Sequence, residues 1–379
     1  MSRRVERGRV LQLLGPSTGG IRRHVAHLTE RLRQGGWSVE TAGPAGVFDG
    51  LAVALDHVVE VPARFPSPHL RGVLNARGAL TGIVDGFDVV HAHGLKAGWL
   101  AGSLVRRPPL VATVHNLVLA EASGAATPVL RLLEGRLPSR VERTVAASRQ
   151  VARRFTGLPG AGRVRTIPPV WPPPRPGRPR DQVRAELGSG PDQLLVVAVA
   201  RLHPQKDLAT LVEAMGRLHR RVGGARGAIV GEGPLEVDLR RHIGRLGLSE
   251  VVTLAGAWSS SADALAAADV VVVCSRWESG PLVAWEAMQL GRPLVSTPVG
   301  AVPDVVVDGV SGRLTPVGDA SALADTLEAV LSDPSKAQAL GEAGRTAVGA
   351  RYDLISLVAR IEAVYHEAMA VGPRQGWRR

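Results

Sequence analysis

Arg201 and Lys206 stand five residues apart in the stretch Arg201-Leu202-His203-Pro204-Gln205-Lys206, directly after an apolar run. Two fixed cations in a loop can hold a diphosphate through charge-assisted hydrogen bonds, with no metal ion; an ordinary solvated loop has the same composition. Glu278 and Glu286 lie in the stretch that runs from Ser275 to Met288. Carboxylates so placed can accept hydrogen bonds from the hydroxyls of a sugar and a ribose, while backbone N–H groups at the start of the next helix face phosphate. Glu278 can also simply cap that helix. Two glycine motifs, Gly15-Pro16-Ser17-Thr18-Gly19-Gly20 and Gly231-Glu232-Gly233-Pro234, each follow an apolar run. Glycine lets backbone approach an anion, and a helix N-terminus favours negative charge. The first motif also reads as a tight strand-to-helix turn. The second lacks the third glycine of a dinucleotide fingerprint, and its Pro234 is expected to open a helix.

These groups need a scaffold that brings loop ends together, and the pattern supplies one. Val10–Leu14, Trp37–Ala42, Asp88–His91, Leu110–His115 and Thr144–Ser148 read as strands. Each is a near-continuous apolar run, as a parallel sheet covered on both faces requires. Ile21, Val25, Leu28 and Leu32 recur at helical spacing, and Gly35-Gly36 stops that helix. His24 shares this face and reads as a core residue. The proline-dense residues 168–179 can continue neither helix nor central strand. The pattern then restarts with Leu194–Ala200, Gly227–Val230, Val251–Leu254, Val270–Cys274 and Pro293–Ser296 as strands. The expectation is α/β: two doubly wound Rossmann-like domains facing a cleft, residues 1–170 and 181–352, joined by a linker at 171–180. A last helical stretch runs from Asp353 to Met369. Polar groups at the carboxyl ends of such strands are where ligands bind.

Composition limits the partners. The longest apolar runs fall far short of the roughly 20 residues of a membrane-spanning helix, and the apolar part of the N-terminal stretch is too short for a signal peptide. One cysteine, Cys274, excludes an internal disulfide and suits a reducing cytosol. The net charge is +12, nearly all of the positive charge being arginine, as a GC-rich coding sequence gives. Residues 1–180 carry 26 basic and 11 acidic side chains, a balance of +15, whereas the remainder is at −3. Arg64, Arg71 and Arg77 flank Leu70, Val73 and Leu74; Arg131, Arg136, Arg140 and Arg143 surround Val129, Leu130, Leu132 and Leu133. Such a stripe can dock on an anionic membrane surface, or its apolar residues can be core. No acidic pair or His/Cys cluster marks a metal site, no cofactor is expected, and no nucleic-acid partner is expected.

From about Val10 to about Asp319 the chain resembles family 4 of the glycosyltransferases. Its pieces are Gly19-Gly20, Asp88-Val89-Val90-His91-Ala92-His93, Thr113-Val114-His115-Asn116, Ala146-Ala147-Ser148, Arg201 with Lys206, Gly231-Glu232-Gly233-Pro234, Glu278 with Glu286, Gly300-Ala301-Val302-Pro303-Asp304 and Gly309-Val310-Ser311-Gly312. The resemblance implies the GT-B fold and metal-independent, retaining transfer from a nucleotide-diphosphate sugar, UDP favoured over GDP. Gly19, Gly20, Gly231 and Gly233 would lie at the donor, with Arg201 and Lys206 on the diphosphate. Glu278 would bind sugar hydroxyls and Glu286 the ribose. Gly280 and Leu282 would supply backbone donors. His115 would stand beside the transferred sugar and His93 would line the cleft. The helix 353–379 would cross back onto the first domain. Three departures from the family pattern stand out: Ile167-Pro168-Pro169-Val170-Trp171 replaces an Asn-Gly turn, Gly280 a larger apolar residue, and Asp304 a glutamate. The expected acceptor is a cell-envelope glycan or lipid-linked intermediate, with a small soluble acceptor as the alternative. A GT-B sugar-nucleotide epimerase and a non-catalytic nucleotide-sugar binder are the rival functions. A dehydrogenase is disfavoured for want of a complete fingerprint.

Overall fold

A parallel sheet covered by helices buries its strands on both faces, and a doubly wound one reverses its strand order once. The computed structural model describes residues 7–373 apart from Thr18, residues 64–69, residues 119–123, Val170 and Ser279. Thr18, Arg64, Val170 and Ser279 of the sequence reading therefore lie outside the described residues, as does the side chain of Leu70. The chain divides into two units, Met1–Pro172 with Tyr352–Arg379, and Pro173–Arg351.

The first unit is built on β1 (Arg9–Leu14), β2 (Ser38–Gly43), β3 (His57–Val58), β4 (Val89–His93), β5 (Leu110–Val114), β6 (Arg143–Ala146) and β7 (Val164–Thr166). They form one parallel sheet in the order β3-β2-β1-β4-β5-β6-β7. Side chains alternate between its faces. Leu11, Leu13, Val90, Ala92 and Ala112 join a core cluster with residues of the helices Leu70–Val84 and Leu95–Gly102. Gln12, His91, His93 and Thr113 occupy the intervening positions and are also buried. The helix Gly20–Gln34 and the helix Leu354–Val371 pack against each other and on the sheet.

The last helix begins where expected. Asp353 caps it by accepting a hydrogen bond from the Ser356 N–H at 2.8 Å. Arg143 and Arg165 donate to Glu367 at 2.6 and 2.9 Å, and the Trp37 indole donates to Glu362 at 3.0 Å. The segment thus belongs to the first unit although more than 170 residues separate it from β7 in sequence.

The second unit repeats the plan with β8 (Leu195–Val199), β9 (Arg226–Val230), β10 (Val252–Leu254), β11 (Val270–Val273), β12 (Leu294–Ser296) and β13 (Arg313–Leu314). Their order is β10-β9-β8-β11-β12-β13, all parallel. In each sheet the order reverses beside the first strand, between β1 and β4 and between β8 and β11. The loops leaving those strands diverge there, which opens a crevice for ligand. The strands read from the sequence recur with ends shifted by one or two residues; β3, β7 and β13 are short edge strands with no apolar run to announce them.

At the start of β5, Arg107 donates to the fully buried Glu142 at 2.7 Å, and the Leu110 N–H donates to the same carboxylate at 2.5 Å. Removing one member of a buried pair leaves an uncompensated charge. Glu142→Ala should lower the unfolding free energy by about 3–5 kcal/mol, read by denaturant titration. An unchanged midpoint would show that the pair holds nothing together.

Candidate active site

Above β8 the chain turns through Pro204–Lys206, a single 3-10 turn, and Asp207 takes a left-handed conformation at φ 49°. That turn aims the chain into the helix Leu208–Arg221 and leaves Lys206 beside the end of β11. There Lys206 Nζ is ion-paired with Glu278, and the Ser275 hydroxyl donates to the same carboxylate oxygen at 2.8 Å. Two further bonds lock the loops together. The Gln205 amide donates to the Trp277 carbonyl at 2.8 Å, and the Arg276 N–H donates to the Gln205 carbonyl at 2.8 Å. Arg201 is exposed at the start of this turn. Burial, then the charges of Arg201 and Lys206, push the His203 imidazole below its usual range, so it adds no third cation there.

Glu278 does not hold the cap position of the helix Leu282–Gln289: Pro281 occupies it and makes no side-chain cap hydrogen bond. Leu282 opens that helix, so its N–H has no partner within the helix, and Gly280 lies two residues before it. Glu286, in its second turn, accepts a hydrogen bond from the Ser261 hydroxyl at 2.8 Å. Trp285, on the same helix, is fully buried and packs as core. Cys274 is buried too, and burial holds its thiol up at about 12, which makes it inert at neutral pH.

The Gly231-Glu232-Gly233-Pro234 loop lies directly behind Arg201. Leu202 N–H donates to the Glu232 carbonyl at 2.9 Å, and Leu235 N–H returns to the Leu202 carbonyl at 3.1 Å. A Cβ on Gly231, at φ 144°, would meet the Ala200 carbonyl oxygen at 2.0 Å; one on Gly233, at φ 155°, would meet that of Leu202 at 2.5 Å. Close backbone packing therefore explains both glycines, without any donor contact. Pro234 lies in a turn, and the helix begins two residues later, at Glu236.

In the first unit, Gly19 caps the helix Gly20–Gln34 at φ 64°, with open space around its missing Cβ. The loop there needs glycine for its backbone angle, and the helix N-terminus stays open to an anion. His115 follows β5 and His93 ends β4. Both are buried, and His93 Nδ1 lies 3.2 Å from His115 Nε2. His24 is buried as the helical spacing required, but among rings: its centroid is 5.6 Å from that of His93 and 5.2 Å from that of His115. His91 is bonded to Thr113 at 2.7 Å and to Tyr365 at 2.8 Å. Burial, reinforced by neighbouring histidines, pushes the His93 and His115 imidazoles well below their usual range and His91 to about 3, so all three are neutral at pH 7.

One expectation needs correction. The sequence shows no His/Cys cluster, yet the fold gathers His24, His93 and His115 with ligand atoms all within 4.8 Å, a spacing that can hold a metal ion. They come from a helix and two strand ends, 22 to 91 residues apart, so no local spacing could reveal them. The His93–His115 hydrogen bond already uses one nitrogen of each. The sequence reading also passed over Gln12, Tyr365, Ser275 and Ser261; a polar residue inside an apolar strand is the one signal that marked Gln12.

The packing behind Arg201 gives a direct test. Gly233→Ala should displace the Leu202 backbone, lower the melting temperature by several degrees and cut activity through Arg201, since such backbone strain costs roughly 1–3 kcal/mol. A variant equal to the parent in both would show that Gly233 does not hold the loop.

Comparison with known proteins agrees with this fold. The profile described as Glycosyl transferases group 1 matches residues 179–347, and that described as Glycosyltransferase Family 4 matches residues 18–170. D-inositol 3-phosphate glycosyltransferase 1 of Catenulispora acidiphila is 32% identical, over 94% of this chain and 93% of its own. The structure of sucrose-phosphate synthase from Thermosynechococcus elongatus superposes with a TM-score of 0.80 at 22% identity, covering 96% of this chain and 100% of that one. Anabaena HepE, solved in complex with UDP-glucose, gives 0.79 at 20% identity, covering 95% and 99%. Two parallel-sheet α/β domains of GT-B type and a full-length relative lead to one conclusion: the chain belongs to the family 4 glycosyltransferases and is a glycosyltransferase.

Proposed function

We propose that this glycosyltransferase takes a hexose from a UDP-sugar, keeps the configuration of the anomeric carbon, needs no metal ion, and serves a small soluble acceptor bearing an anionic group. The reading rests on one observation: Lys206 and Glu278 meet where β8 and β11 part, with Arg201 exposed on the same loop. When a nucleoside diphosphate enters, its charge is a stronger partner for Lys206 than a single carboxylate. Arg201 and Lys206 then take the diphosphate, and Glu278 turns to sugar hydroxyls. The Gly280 and Leu282 N–H groups face the phosphates, and Glu286 binds the ribose. Charge on the leaving diphosphate is met by these groups as the glycosidic bond breaks. The family resemblance assigns His115 to the transferred sugar, and no protein nucleophile is needed if the departing phosphate guides the acceptor to the same face.

The nucleotide follows HepE, whose structure holds UDP-glucose, and the acceptor class follows the inositol 3-phosphate relative. The +15 balance of residues 1–180 suits an anionic acceptor. Arg201→Ala or Lys206→Ala should each lower transfer by roughly two to three orders of magnitude and weaken UDP binding, and the parent enzyme should keep full activity in excess EDTA. Full activity in both variants, or a strict Mg²⁺ requirement, would contradict the clamp.

A lipid-linked acceptor at an anionic membrane is the second reading, and one observation favours it. Leu74, Val129 and Leu132 are exposed rather than core, on the helices Leu70–Val84 and Thr127–Arg140, beside the exposed Arg71, Arg131 and Arg136. Both helices pack against Leu95–Gly102 between them. Arg140 lies over the Trp99 ring and Arg143 pairs with Glu367, so neither belongs to the stripe. Among the described residues no helix is long and apolar enough to cross a membrane. Co-sedimentation with anionic vesicles at low salt, lost at high salt and with neutral lipid, would establish this reading; a protein left in the supernatant throughout would remove it.

A further inference from the structure

We propose that Gln12 and Tyr365 are positioning residues: through a directional chain of hydrogen bonds they fix which nitrogen of His115 carries its proton. The inference rests on the reading of His115 as the group beside the transferred sugar.

The chain runs through five buried side chains to His115. Gln12 Nε2 donates to the Tyr365 hydroxyl at 3.0 Å. That oxygen therefore spends its own hydrogen on His91 Nδ1, 2.8 Å away. His91 is then protonated at Nε2, which donates to Thr113 Oγ1 at 2.7 Å. On the other side of Gln12, its Oε1 accepts from His93 Nε2 at 2.6 Å. A neutral His93 protonated at Nε2 has a bare Nδ1, so the 3.2 Å contact to His115 is donated by His115 Nε2. His115 is left with Nδ1 as a lone-pair acceptor, ready for a hydroxyl hydrogen of the sugar or the acceptor.

Hydroxyls and imidazoles can each reverse their proton in place. The Gln12 amide cannot: its donor and acceptor ends differ, and only a half-turn exchanges them. Gln12 thus sets the direction for every other member. Its donor end is held by Tyr365, a residue of the helix Leu354–Val371 that the ion pairs of Glu367 anchor to β6 and β7. The C-terminal helix, far from His115 in sequence, thereby ties the tautomer at the end of β5 to the proton order of Tyr365, His91 and Thr113. With Tyr365 replaced by phenylalanine, the amide can turn over without reversing His91 and Thr113 as well, and the His93–His115 pair can take either proton order.

The test is Tyr365→Phe in the full-length enzyme, with ¹⁵N NMR of the imidazole nitrogens in the ligand-free protein alongside steady-state kinetics. The parent should show His115 protonated at Nε2 alone. The variant should show a mixture of His115 tautomers, a kcat lowered about tenfold or more, and UDP affinity within about twofold, because the groups assigned to the diphosphate lie elsewhere. Gln12→Met, which keeps the volume and removes both ends of the amide, should do the same. An unchanged His115 tautomer in Tyr365→Phe overturns the positioning role, even if kcat falls. So does a shifted tautomer with kcat unaltered. His115→Ala with full transfer would instead overturn the reading of His115, and the tautomer measurement would still stand by itself.

Discussion

The contact between Lys206 and Glu278 organises the second unit. It joins the loop that leaves β8 to the loop that leaves β11, the two strands between which the sheet order reverses. Everything near it serves to hold that junction. The left-handed turn at Asp207 brings Lys206 over the sheet, Ser275 fixes the Glu278 carboxylate, and the Gln205 side chain and the Arg276 N–H tie the two loops together. The glycines behind Arg201 hold its loop down, because no side chain fits between the two backbones. On the proposed function, this cation and carboxylate serve different parts of one ligand, phosphate and sugar, and their pairing compensates both charges.

The first unit solves a different problem. Its sheet is buried on both faces, yet one face carries Gln12, His91, His93 and Thr113. Buried polar groups are tolerable only when each finds a partner. Here they find one another, Tyr365 and His115. The result is a set of neutral histidines whose proton positions are fixed by the backbone register of three strands and by one helix returning from the end of the chain.

Much of this could be read from the sequence, for physical reasons that differ by element. Long apolar runs such as Leu194–Ala200 identify strands because both faces of a parallel sheet are covered. The two-residue strand His57–Val58 has no such run and was invisible. Arg201, Lys206, Glu278 and Glu286 stood out because their order and spacing match a family pattern. That Lys206 and Glu278 touch was not legible, since 72 residues separate them and only the sheet order brings their loops together. His24 was read as a core residue and is buried, but that it meets the rings of His93 and His115 was not legible: helical periodicity tells which way a side chain points, not what it meets. Gly231 and Gly233 were assigned to the donor on pattern alone, while the backbone they approach supplies a sufficient reason for glycine. Tyr365 lay in a helix whose return to the first unit was foreseen, but its partner 274 residues away was not.

The account turns on the claim that a donor diphosphate replaces Glu278 as the partner of Lys206. A crystal structure of the enzyme with UDP bound tests this most directly. The account predicts diphosphate oxygens within hydrogen-bonding distance of both Arg201 and Lys206, with the Lys206–Glu278 contact opened. A diphosphate seated elsewhere, with that contact intact, would contradict it.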